Sequence, residues 1–178
     1  MSKVILGSLL AAIVMFVFGA VVWMSPYPYK AFSQTADDQA AGQALLQNFP
    51  ETGNYIVPGM SDDKAKMESL HTAGPIAFVA LQREGGPMMN PKYLGLGFLQ
   101  YFVAMLFAGS ILRRVASALP TYGSRVGLVT LIGLIVAVLG HLSLPVWWKA
   151  PWPFFLVVAV YGTVSTLLGG LVLAKFVK

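Results

Sequence analysis

The chain has 178 residues, of which 57% are hydrophobic and 11% charged, with a net charge of +5 and a mean hydropathy of +0.71. Soluble domains carry about 25% charged residues, so the balance excludes an ordinary water-soluble globule and points to lipid. The absence of cysteine excludes disulfides, thiolate metal sites, thiol nucleophiles and covalent c-type haem attachment.

Four stretches are long and apolar enough to cross about 30 Å of hydrocarbon, which takes about 20 helical residues. They are residues 4–24, 93–112, 126–148 and 152–174, each free of charged side chains and bounded by proline or basic residues. The first is expected to be a retained helix. Its apolar run is longer than that of a signal peptide and lacks a small-x-small cleavage site close behind it.

Residues 25–92 contain all seven acids, from Asp37 to Glu84, and read as a small α+β domain. Residues 36–49 predict a helix, with Ser33 or Thr35 as cap and Pro50 as stop. Residues 54–57 and 75–82 predict strands bounded by glycine and proline. Between them, residues 61–72 predict a second helix with Ser61 as N-cap and Asp62 and Asp63 near its positive end. A unit of this size has little core of its own. It is expected to rest on the helix ends or on another protein.

Orientation follows from lysine and arginine near the helix ends, which resist translocation. Lys3, Arg113, Arg114, Arg125, Lys175 and Lys178 flank the apolar segments with no acid among them, whereas the short third loop has only Lys149. The N-terminus, the 113–125 loop and the C-terminus are therefore expected in the cytoplasm of a bacterial inner membrane, and residues 25–92 on the periplasmic side. Trp23, Tyr27, Tyr29, Tyr93, Trp147, Trp148 and Trp152 form the aromatic belt expected at the outer interface.

Chemistry-bearing residues are few. No charge lies within the four spans, which argues against an ion-coupled transporter or proton channel, and no internal repeat supports a transporter of inverted halves. His141, with Gln100 at similar depth, is the one intramembrane group able to meet a haem iron or chlorophyll magnesium. The preferred reading is structural, with His141 hydrogen-bonded to Gln100, Tyr101, Tyr161 or Ser143, because b-type haem usually takes two axial ligands and the spans hold one histidine. Met67 and His71 lie at i and i+4 on the second soluble helix, near Met60, Met88 and Met89. Thioethers with imidazole suit Cu(I), although methionines more often fill irregular apolar contacts.

Small residues at helical spacing let helices approach closely in lipid. Gly162, Thr166 and Gly170 share one face of the fourth span, with Ser165 and Gly169 on a neighbouring line. Gly7 with Ala11, Gly95 with Gly97, and Gly133 with Gly140 offer weaker faces. No nucleophile elbow, Walker loop, dinucleotide fingerprint or zincin motif is present, so no enzyme is expected. The basic flanks suit anionic lipid headgroups better than nucleic acid.

The run Pro50-Glu51-Thr52-Gly53-Asn54-Tyr55-Ile56-Val57-Pro58-Gly59, with Ala73-Gly74-Pro75 and an apolar N-terminal helix ending in Trp23, resembles a set of small bacterial integral membrane proteins. That set has four transmembrane helices and no assigned activity, so the resemblance implies architecture and no catalytic residues. The sequence thus leads to a non-catalytic accessory subunit packing against other integral membrane subunits, as in a respiratory or photosynthetic complex. The alternative is a module that binds or transports a lipid or small neutral ligand near Gln100, His141 and Tyr161. Lipid is the expected companion and no cofactor is, a single haem or chlorophyll contact at His141 being the disfavoured case.

Overall fold

A computed structural model describes residues 2–177; Met1 and Lys178, the last of the basic flanks named above, lie outside the described residues. In chain order the elements are α1 (Ser2–Trp23), α2 (Asp38–Asn48), β1 (Gly53–Val57), α3 (Lys64–Ala73), β2 (Ala77–Leu81), α4 (Pro91–Val115), α5 (Tyr122–Val136), α6 (Ser143–Trp148) and α7 (Trp152–Phe176). Four helical stretches, Ser2–Trp23, Pro91–Ala118, Tyr122–Trp148 and Trp152–Phe176, are long and apolar enough to cross a membrane. The chain forms two compact units. One comprises residues 2–32, 89–142 and 153–177, and the other residues 33–88 and 143–152.

The first unit is a bundle of α1, α4, α5 and α7, and its helices meet where side chains are smallest. A Cβ on Gly133 of α5 would lie 2.6 Å from the Thr166 Cβ of α7. One on Gly169 would lie 2.8 Å and 2.9 Å from the Sδ atoms of Met15 and Met105, and one on Gly170 3.1 Å from the Val129 Cβ. Gly7 faces Phe176 and Leu173, while Gly109 faces Val4, Leu173 and Ser8. The buried core follows from these approaches: Val4, Ala11, Met15, Met105, Ala108, Leu112, Val129 and Leu173 pack around α7 and the seam between α1 and α4. Two neutral hydrogen bonds tie the helices further, from the buried Ser8 Oγ to the Met105 carbonyl (2.9 Å) and from the Tyr122 hydroxyl to the Leu171 carbonyl (2.6 Å).

The third span is not the uninterrupted α-helix that residues 126–148 predict. At Ala137–His141 the backbone widens into a π-turn, closed by the Leu142 N–H donating to the Ala137 carbonyl at 3.2 Å. Proline explains the position. Pro145 has no N–H for the His141 carbonyl, and its ring crowds that same carbonyl in a regular helix, so the turn above it opens by one residue.

In the second unit β1 and β2 pair antiparallel, from Gly53 opposite Leu81 to Val57 opposite Ala77, with α3 as the connection. Alternate residues are half-buried: Gly53, Tyr55 and Val57 on one strand, Ala77, Val79 and Leu81 on the other. Neither α2 nor α3 has a buried residue. Helices α2 and α3 begin later than their sequence suggests, because aspartate displaces the hydroxyl caps. Asp37 accepts from the Ala40 N–H and Asp63 from the Lys66 N–H, each at 3.0 Å. A carboxylate both satisfies the free donor and opposes the positive helix end, which a hydroxyl cannot do. Ser61 instead braces the turn, its Oγ accepting from the Asp63 N–H, and Thr35 donates to the Asp38 carboxylate. Arg83 closes the other end of α2 by donating to the carbonyls of Leu46 (2.9 Å) and Phe49.

The glycine contacts predict unequal costs. Gly133→Ala meets a β-branched side chain held by its own backbone hydrogen bond, from Thr166 Oγ1 to the Gly162 carbonyl, and is expected to cost about 1–3 kcal/mol. Gly169→Ala meets flexible thioethers and should cost clearly less; reversible unfolding in mixed detergent micelles gives both values, and the reverse order refutes the account. In the second unit, hydrogen bonds from its own backbone N–H and then from the Thr52 hydroxyl (2.9 Å) hold the Glu84 carboxyl below the ordinary glutamate range, with the Arg83 charge acting in the same sense. A carboxyl depressed in the folded state stabilises above its unfolded value and loses that contribution as pH falls through the folded one. Thr52→Ala should therefore raise the Glu84 midpoint, read by carbon NMR of the side-chain carboxyl, and loosen the unit at neutral pH, the difference from the parent closing as acid protonates Glu84 in both.

Candidate functional site

Two places gather the side chains that chemistry would use. In the bundle, α1 presents Phe18 and Trp23 and α7 presents Tyr161. The Phe18 and Tyr161 rings stack at 5.5 Å with 9° between planes, and Trp23 meets Tyr161 edge-on at 5.5 Å. The Tyr161 hydroxyl pairs with that of Tyr101 on α4 at 2.5 Å, directly over Gly19, whose missing Cβ would stand 2.6 Å from the Tyr161 oxygen. Glycine at position 19 is thus what lets the two hydroxyls meet across α1.

Tyr161 separates two grooves. One, of about 640 Å³, runs between α1 and α7 and is walled by Phe18, Val21, Val22, Leu156, Val157 and Val160. The other, of about 300 Å³, lies between α1 and α4 beside Phe16, Trp23, Tyr93, Gly97 and Tyr101. Both are almost wholly apolar, with aromatic faces and the paired hydroxyls as polar features. They suit an acyl chain or another uncharged molecule.

His141 and Gln100 line neither groove. The imidazole lies in the π-turn against α7, its Nε2 3.4 Å from where a Cβ on Gly162 would be. Gln100 is exposed on α4. The hydroxyls of Tyr101 and Tyr161, two of the partners the sequence offers His141, bond each other. The small residues of α7 all turn inward: Gly162 receives His141, Thr166 receives Gly133, Gly169 receives the two methionines and Gly170 receives Val129. Ser165 is buried, and its Oγ has no hydrogen-bond partner among the described residues.

The second place is in the second unit. Met60, Met67 and His71 line one groove of about 720 Å³, together with Lys64, Glu68, Trp147, Trp148 and Lys149. The i, i+4 spacing on α3 brings Met67 and His71 to the same wall, and the Phe78 ring supports Trp148 at 5.7 Å. Soft donors are therefore collected. Two lysine ammonium groups share the groove with one carboxylate, however, and a cation would have to enter against them. Among the described residues no group of three or more histidine, cysteine, aspartate or glutamate side chains could hold a metal ion. The groove is better matched to a ligand with an apolar body and a negative or neutral end.

No family model matches the chain, and no characterised protein or solved structure is found similar to it. The geometry alone carries the functional argument.

The sequence singles out Tyr161 but not the cluster around it. Phe18 and Trp23 are five residues apart, and Gly19 between them was the available signal.

The tyrosine pair predicts a coupled loss. Tyr101→Phe and Tyr161→Phe should each destabilise the bundle by about 1 kcal/mol, the net value of a typical hydrogen bond. Because each substitution removes the same bond, the double variant should lose little more than either single one. Additive losses in a double-mutant cycle would show that the hydroxyls act independently.

Proposed function

We propose that this protein is a non-catalytic accessory subunit of a larger membrane assembly, such as a respiratory or photosynthetic complex in a bacterial inner membrane. In this reading both termini and the 113–125 loop are cytoplasmic, residues 25–92 are periplasmic, and other integral membrane subunits cover its free faces. The charge bias of the flanks supports that orientation.

The observation that carries the proposal is the soluble unit's want of a core. Leu46, Ile56, Leu70, Ile76 and Phe78 are all exposed, and so are Trp147 and Trp148. The first five belong to a unit that also contains every acid of the chain, which favours protein over lipid as their covering. Exposed apolar side chains on a polar, thin unit suit contact with another protein. Open glycines in the bundle lend support. Gly123 and Gly127 of α5, and Gly95 and Gly97 of α4, have no atom within 4 Å of a Cβ built on them, which leaves room for a further helix to approach.

A second reading, binding of a lipid or neutral ligand, is favoured by the apolar groove beside Tyr161. It differs from the first in what accompanies the chain out of the membrane. Isolation from native membranes in mild detergent, followed by mass spectrometry of the co-migrating material, is expected to recover stoichiometric membrane protein partners. A monodisperse monomer with no partner would overturn the subunit reading. An absorption spectrum of the same sample tests pigment contact: a Soret or chlorophyll band abolished by His141→Ala would give His141 a ligand, and a band unchanged by it leaves that residue a packing group.

A further inference from the structure

The end of the bundle where α1 begins and α4 stops carries a groove of about 690 Å³. Val4 and Ile5 of α1 and Leu106 and Phe107 of α4 form its apolar walls, and Ser110, Arg113 and Arg114 form its polar end. The spacing explains the arrangement. Residues three and four apart stack along one helix face, so Phe107, Ser110 and Arg114 succeed one another along the groove with Arg113 beside them.

Both arginines are exposed, and among the described residues neither guanidinium takes part in a hydrogen bond or an ion pair. No acid lines the groove, since all seven lie between positions 37 and 84. The positive end of the α1 dipole, at the turn that contributes Val4 and Ile5, adds to the same potential. Two permanent positive charges therefore adjoin a trough of branched and aromatic carbon.

A ligand that answers both features has an anionic head and an acyl chain. Guanidinium forks match phosphate oxygens in pairs, and a juxtamembrane basic pair attracts anionic headgroups. We propose that this groove binds an anionic phospholipid, its phosphate diester held by Arg113, Arg114 and the Ser110 hydroxyl and one acyl chain laid along Val4, Ile5, Leu106 and Phe107. Inorganic phosphate offers the same head chemistry but has no use for the trough. The site is independent of the subunit reading, because it concerns lipid on this chain alone.

The test uses the full chain in nanodiscs of equal parts phosphatidylglycerol and phosphatidylcholine with identical acyl chains. Native mass spectrometry reads the lipids that stay bound after release. Retained phosphatidylglycerol should exceed phosphatidylcholine roughly tenfold, falling to about twofold or less in the Arg113→Gln, Arg114→Gln double variant. Lys175→Gln removes one charge from the same end of the bundle, outside the groove, and should keep the preference. Arg113→Lys with Arg114→Lys keeps the charge but loses the fork, and should fall between. Millimolar inorganic phosphate should leave the bound lipid in place. Equal retention of the two lipids, a preference that survives the glutamine pair with circular dichroism unchanged, or displacement by inorganic phosphate would each overturn the proposal.

Discussion

The bundle depends on how closely α7 can be approached. Between helices that could sit in hydrocarbon, apolar burial supplies no net attraction, because lipid tails are as apolar as leucine, and close van der Waals contact has to hold them together. Gly133 against Thr166, Gly169 under Met15 and Met105, and Gly170 against Val129 are the contacts that achieve it. Each depends on a missing side chain on one helix and a shaped one on its neighbour. With α7 held there, Tyr161 is brought over Gly19 to reach Tyr101, and His141 is brought against Gly162. The aromatic cluster and its two grooves are consequences of that packing.

Polarity is distributed accordingly. Inside the bundle the ties are neutral: a serine hydroxyl to a carbonyl, a tyrosine to a tyrosine, a tyrosine to a carbonyl. Such bonds join helices without the desolvation cost of an ion. Charge is confined to the helix ends and to the soluble unit, so any ligand that needs charge meets the molecule at those places. The arginine groove and the lysine-lined groove of α3 are two such places.

Much of this was legible from residues alone. The four long helices, the two strands and the two short soluble helices all stand where the apolar runs and the glycine and proline breaks put them. The departures have local causes. Hydroxyl caps yielded to Asp37 and Asp63 because sequence patterns do not rank two acceptors that lie two residues apart. The π-turn at His141 was hidden, since Pro145 sits four residues downstream in an apolar run that shows no break. Which glycine meets which neighbour was not legible either, for the small-residue face of α7 is the same whether its partner lies in this chain or another. Tyr101 and Tyr161 are 60 positions apart and the arginine groove spans a hundred, so only the packed chain brings them together.

The soluble unit has a further consequence for how the molecule lives in a cell. Its half-buried sheet and coreless helices leave most backbone amides a short local opening away from solvent, while the bundle opens only with its interhelical contacts. Hydrogen exchange in the unit would therefore be fast and uncoupled from that of the bundle, and proteases would cut it first.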